Sequence, residues 1–165
     1  MKNLIVFATK YGSVTNAAKL LAGELQGTTD LVRLGHDDLP TLDEYDSVVV
    51  GGSIYIGNIQ KEVKEFCWDF KAELLEKKLG LFICAGEKNE EKRMDAIRKN
   101  FPTELIDNST ATGWFGHEVH FEKASFMDRT AIRLIMGVKK SFSDLKKENI
   151  AEFAAKMNIG AGPNI

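Results

Sequence analysis

Leu4-Ile5-Val6-Phe7-Ala8-Thr9-Lys10-Tyr11-Gly12-Ser13-Val14-Thr15 decides how the rest of the chain is read. Leu4 to Ala8 is a short, wholly apolar run, as a strand buried on both faces requires. It breaks into hydroxyls and one glycine, after which Val14, Ala18, Leu21 and Leu25 fall on one face of a helix. A strand that empties through such a loop into a helix aims backbone N–H groups and the helix's positive end at one spot, where an anion can sit. The chain has no GxGxxG and no GxxxxGK[ST], so a dinucleotide pyrophosphate or a nucleoside triphosphate is not what this loop takes. A single phosphate monoester held by hydroxyls and amides remains.

The elements after it alternate in the same way. Thr28 to Leu34, Tyr45 to Ser53, Leu79 to Gly86 and Thr110 to Phe121 read as four further strands. Helices are expected over about 60–75, with Val63, Phe66, Cys67, Phe70 and Leu74 inward, and over about 90–100. A last helix places Ile150, Phe153, Ala154 and Met157 on one face. Apolar strands between amphipathic helices predict an α/β three-layer sandwich around a five-stranded parallel sheet in the doubly wound order 2-1-3-4-5. In that order the ligand site lies beyond the strand ends, beside strands one and three. The reading gives one domain over 1–165, an insertion over about 122–142, and a frayed tail over 159–165.

Composition narrows the function classes. At 165 residues with 44% hydrophobic residues the chain holds a genuine core. A net charge of −2 supplies no field for nucleic acid, and none is expected as a partner. Cys67 and Cys84 are too few for a disulfide framework, and no apolar run reaches a membrane span, so a cytoplasmic chain is expected. His117 and His120, three apart in a strand, point to opposite faces and are not read as a metal pair. A phosphorelay receiver would need acids where Ala8-Thr9 and Gly51-Gly52 stand.

Together with the first loop, Tyr45-Asp46-Ser47-Val48-Val49-Val50-Gly51-Gly52-Ser53-Ile54-Tyr55-Ile56-Gly57-Asn58 resembles the third strand and flavin loop of flavodoxins, and the resemblance runs along nearly the whole chain. Within that family it is nearest the menaquinone-dependent protoporphyrinogen oxidases. Their helical insertion after strand five is echoed by Phe126-Met127-Asp128-Arg129 through Leu134-Ile135-Met136. The resemblance implies FMN as cofactor. Thr9, Lys10, Tyr11, Gly12, Ser13, Val14 and Thr15 would wrap its phosphate, with Val14 departing from the family's usual threonine. Ser53, Ile54, Tyr55, Ile56, Gly57 and Asn58 would lie along the ring, where Gly57 can flip its peptide and offer its carbonyl to the reduced ring. Asn58 stands where many flavodoxins carry an acid, which implies a less extreme potential. Cys84, Ala85, Gly86 and Glu87 form the third loop and bring no aromatic residue. Trp114 or Phe115 is the remaining candidate to cover the ring, unless both are core. Turn and cap chemistry is the other reading of Thr9 and Ser13.

Two functions follow from the resemblance. One is oxidation of a porphyrinogen-type substrate with electrons passed to a quinone; the other is an electron carrier that docks redox partner proteins. No side chain is read as catalytic, because the flavin itself would carry the chemistry. Residues 122–147 hold seven cationic against three anionic side chains, a local +4 on a chain of −2. In the helix expected over 126–140, Arg129, Arg133 and Lys140 cluster apart from Met127, Ala131, Leu134, Ile135 and Val138. That helix is read as a peripheral membrane contact, a partner-docking site, or an insertion packing its apolar arc on the body.

Overall fold

The computed structural model describes residues 1–137 and 140–160. Five strands, β1 Lys2–Phe7, β2 Thr28–Arg33, β3 Ser47–Ser53, β4 Lys78–Cys84 and β5 Ala111–Trp114, form one sheet in the order β2-β1-β3-β4-β5. Every neighbouring pair is parallel. The expected order is the observed one. It follows from alternation along the strands. Leu4 and Val6 of β1 join Val48, Val50, Leu79 and Leu81 on one side, while Ile5 and Phe7 join Val49 and Phe82 on the other.

Helices cover both faces. α1 (Ser13–Glu24) buries Val14, Ala17, Ala18 and Leu21 beside α7 (Lys147–Asn158), which buries Ile150, Phe153, Ala154 and Met157. The opposite face is covered by α2 (Lys61–Asp69), α3 (Lys71–Leu75), α4 (Glu90–Asn100) and α5 (Thr103–Asn108). The single helix expected over 60–75 is two. Phe70 leaves helical geometry at φ −107° and ψ 19°, its ring 5.0 Å from Phe66, so the apolar face continues across a break in the backbone.

The expected fifth strand is also two. β5 ends at Trp114, and β6 (Gly116–Val119) leaves the sheet to pair antiparallel with β7 (Phe142–Leu145). Gly116 is the cause. Its φ is +76°, and a Cβ there would lie 2.0 Å from the Asp144 carbonyl oxygen, so no other residue fits this corner. The hairpin frames a third cluster, in which Val119, Phe121 and Ile132 pack with Phe142 and with Tyr11 from the first loop. Ile132 belongs to α6 (Phe126–Met136), capped by the Ser125 hydroxyl, which accepts from the Asp128 amide at 3.1 Å. The helix expected over 126–140 thus stops four residues early, at Gly137 in the left-handed region with φ +66°. Val138, Lys139 and the tail from Ala161 to Ile165 lie outside the described residues.

Candidate cofactor site

Parallel strands put the loops after β1, β3 and β4 at one edge of the sheet. The chain leaves β1 towards β2 on one side and β3 on the other, so a crevice opens between the first two loops.

The first loop fits an anion. Gly12 takes φ +83°, which turns the chain into α1, and no side chain caps that helix. The Thr9 hydroxyl braces the turn, accepting from the Val14 amide at 3.4 Å. Ser13 is buried at 6% exposure, and the Val14 side chain is wholly within the core, so Val14 serves packing and only its amide faces the loop. Tyr11 reaches sideways to the third cluster, and its hydroxyl is buried with no hydrogen-bond partner among the described residues. Burial, the nearby Tyr55 hydroxyl and the Asp128 carboxylate push its ionisation above the ordinary phenol range, so it stays a neutral donor. A buried donor without an acceptor costs free energy until a ligand supplies one.

The second loop is a tight hairpin. Tyr55 and Asn58 exchange backbone hydrogen bonds of 2.9 and 3.1 Å, and Ile56 and Gly57 between them have φ of +48° and +73°. Both central residues are left-handed, as a type I′ turn demands. For glycine this is free, but for β-branched Ile56, 66% exposed, it is strained. The strain is held from below by Asn100, a residue at 4% exposure that the sequence reading missed. Its amide donates to the Gly57 carbonyl at 3.1 Å and to the Ala96 carbonyl at 2.8 Å, while its oxygen accepts from the Ile59 amide at 3.0 Å. The Gly57 carbonyl expected to serve the ring is thus engaged by Asn100 in this conformation. Ser53 is tied to Gln60 in both directions, at 3.0 and 2.6 Å. The Ile54 amide bonds the Cys84 carbonyl at 2.9 Å.

The two loops meet through aromatic rings. Tyr11 stands edge-on to Tyr55 with centroids 5.8 Å apart, and the Lys10 ammonium lies 3.7 Å above the Tyr55 ring. Lys64 bonds the Asn58 side chain at 3.5 Å, and the Lys99 ammonium lies 3.3 Å from where a Cβ on Gly57 would be. The second loop therefore sits among three cations.

The third loop is braced by its backbone. The Ala85 amide donates to the Gly116 carbonyl at 2.9 Å, and the Trp114 indole donates to the Ala85 carbonyl at 2.7 Å. Glu87 accepts from the Asn89 amide at 2.8 Å, and Gly86 packs on His117. Burial pushes the His117 imidazole below its ordinary range. Cys84 turns its side chain into the core at 1% exposure, and burial raises its thiol, as it raises that of Cys67 to about 12. Neither is a nucleophile. Phe115 is wholly buried against Phe82 and Phe153, and the Arg93 guanidinium covers Trp114 at 3.9 Å. Both aromatics once open as ring covers are committed elsewhere.

A buried polar network missed in the sequence lies beside the first loop. Glu118, at 7% exposure, accepts from Ser143 at 2.7 Å and Asn16 at 2.8 Å and meets His120 Nε2 at 2.9 Å. Burial works to raise its carboxyl, but those three bonds prevail and hold it below the usual range. Asn16 stands in the first turn of α1, and the His120 ring lies 3.4 Å from where a Cβ on Gly12 would be. The hairpin thus buttresses the first loop from behind. His117 and His120 serve two different loops.

These features match known proteins. A family model described as a flavodoxin domain matches residues 4–146. The protoporphyrinogen IX dehydrogenase (quinone) of Escherichia coli strain K12 is 23% identical over 155 residues, spanning 90% of this chain and 86% of that protein. Among solved structures, a short-chain flavodoxin associated with a non-canonical PDU bacterial microcompartment superposes with TM-score 0.59 at 16% identity, covering 95% of this chain and 96% of that one. A Fusobacterium nucleatum flavodoxin bound to flavin mononucleotide gives 0.57 at 8% identity, covering 95% and 96%. By the family match and the sheet order together, this chain belongs to the flavodoxin family.

Proposed function

We propose that the chain is an FMN-dependent redox protein that oxidises a porphyrinogen-type substrate and passes the electrons to a quinone. The observation that carries the cofactor assignment is the buried Tyr11 hydroxyl, left without an acceptor beside a loop opened by left-handed Gly12 and an uncapped helix. Thr9, Ser13 and Thr15 would offer hydroxyls to the phosphate, and the turn from Ser53 to Asn58 and the loop from Cys84 to Glu87 would flank the ring. FMN, once bound, supplies reversible electron transfer. Around it Lys10, Lys64 and Lys99 favour negative charge on the reduced cofactor, the reverse of an acid-lined loop.

Oxidation of a substrate, as opposed to electron shuttling alone, is supported by the third loop. It has no aromatic side chain of its own, Phe115 is core, and the Trp114 ring is fixed by the Ala85 carbonyl and covered by Arg93, so a flat ring substrate can lie against the cofactor. For each pair of electrons and protons the substrate loses, one quinone becomes the quinol. No helix among the described residues is long and apolar enough to cross a membrane, so a lipid-borne quinone would be met at the bilayer surface.

The test is in two stages. Apo-protein titrated with FMN, FAD and riboflavin should take FMN tightest, since only FMN ends in a phosphate monoester. The FMN-loaded protein, incubated without oxygen with a porphyrinogen and a menaquinone analogue, should then form porphyrin and quinol together. Tight FMN binding without porphyrin would replace the oxidase with the electron carrier.

A further inference from the structure

Helix α6 is docked with its apolar side outward. Phe126, Met127, Leu134 and Ile135 are 83%, 80%, 80% and 52% exposed. At about 3.6 residues per turn, Phe126, Met127, Thr130 and Leu134 share one arc, with Arg133 along one border and Ile135 along the other. The helix cannot roll to hide this arc. Ile132 is wholly buried beneath it, and Arg129 Nε donates to the Phe121 and Ala124 carbonyls at 2.7 and 3.1 Å. Of the three readings open in the sequence, an apolar arc packed on the body is overturned, and Arg129 is not a solvated cation. Large apolar side chains held in water along one helix mark a surface that something covers.

We propose that α6 is a membrane-surface helix that seats the molecule on an anionic lipid leaflet. Phe126, Met127, Leu134 and Ile135 enter the boundary between headgroups and acyl chains, and exposed Arg133 and Lys140 meet lipid phosphates. Charge selects this occupant. Exposed Arg133 borders the arc and exposed Lys140 follows the helix, so a second copy pairing through the same face would oppose like charges, whereas an anionic leaflet offers the opposite sign. The placement gives the contact a use, and here the inference rests on the quinone reading. Ile132 and Tyr11 pack in one cluster, so the first cofactor loop lies directly behind the helix. A molecule resting on α6 therefore holds its cofactor edge close to lipid.

The test is co-sedimentation of the FMN-loaded full chain with vesicles of phosphatidylcholine containing phosphatidylglycerol, and with pure phosphatidylcholine. Binding is expected to be strong on the anionic vesicles and to weaken with salt. The pair Phe126→Ser and Leu134→Ser should lower partitioning about 100-fold, from the apolar surface two such side chains withdraw from water. The pair Arg133→Gln and Lys140→Gln should lower it about 30-fold on anionic vesicles and leave pure phosphatidylcholine unchanged. All four side chains stand in water, so the fold is not at risk. FMN titration of the same variants should match wild type. A failed FMN titration in wild type would remove the redox reading and leave the vesicle result intact. Wild type remaining in the supernatant with anionic vesicles at low salt overturns the proposal, as does a dimer by light scattering that the serine pair dissolves.

Discussion

Replacing Asn100 with alanine tests whether the second loop is held in its strained shape from below. Three hydrogen bonds are lost together, to the Ile59 amide and to the Gly57 and Ala96 carbonyls. At about 0.5–1.5 kcal/mol net for each, the loss is about 1.5–4.5 kcal/mol, from which better helix propensity at the end of α4 recovers about 0.5. A central value of about 3 kcal/mol lowers Tm by about 6–12 °C for a chain of this size. The turn should feel it most, because left-handed Ile56 persists only while its surroundings impose it, at a strain of about 1–3 kcal/mol. Urea unfolding of apo- and FMN-loaded protein, followed by far-UV circular dichroism, gives both quantities. The FMN-loaded form should lose more than the apo form, and the difference equals the lost binding free energy. If the two apo-proteins unfold within about 0.5 kcal/mol of one another, Asn100 does not hold the turn and the account of the second loop fails.

Tyr11→Phe should leave apo stability unchanged or raise it, since it deletes a buried unpartnered hydroxyl, and should weaken FMN about fivefold, read by flavin fluorescence quenching. Glu118→Gln should destabilise the protein at neutral pH. The folded carboxyl is held below its ordinary range, so its stabilisation is present above the unfolded value of about 4.3 and is lost as pH falls through the folded one. Urea midpoints of variant and wild type should therefore converge on acidification, and a constant gap would refute the assignment. Gly116→Ala should unfold the β6–β7 hairpin, because the methyl meets the Asp144 carbonyl; hydrogen exchange should accelerate over 116–119 and 142–145 before the five-stranded sheet is touched.

The sheet order was legible because three of its strands, β1, β3 and β4, are apolar runs and the helices between them keep their period. Corners were not. Thr110 to Phe121 contains Gly113 and Gly116, and nothing local shows that the first stays within a strand while the second turns the chain out of the sheet. Phe70 breaks a helix whose apolar spacing runs on undisturbed. β7, reading Phe-Ser-Asp-Leu, is a strand only because β6 is there to receive it. The three loops at the strand ends were visible as breaks after strands, but their supports were not: Glu118 lies 102 residues from Asn16, and Asn100 lies 43 from Gly57. For α6 the expected basic cluster is split, Arg129 turning to the body and Arg133 to the exposed border of the apolar arc, because which side docks depends on Ile132 and Arg129 finding their partners, and periodicity is blind to that.

Strand β5 ends the sheet after four residues, and its surroundings matter beyond the cofactor. An open parallel sheet offers its last strand to any passing extended chain, the usual beginning of aggregation. Here the groove of about 310 Å³ along that strand is flanked by α4 and α7, and its outer end is guarded. The Asn149 side chain takes the Trp114 carbonyl at 3.0 Å, Arg93 lies across the Trp114 ring, and the chain then turns away at Gly116. A newcomer would have to displace a charged group and a hydrogen bond to gain a very short ladder. The residues that hold Trp114 in place thus also close the open edge of the sheet.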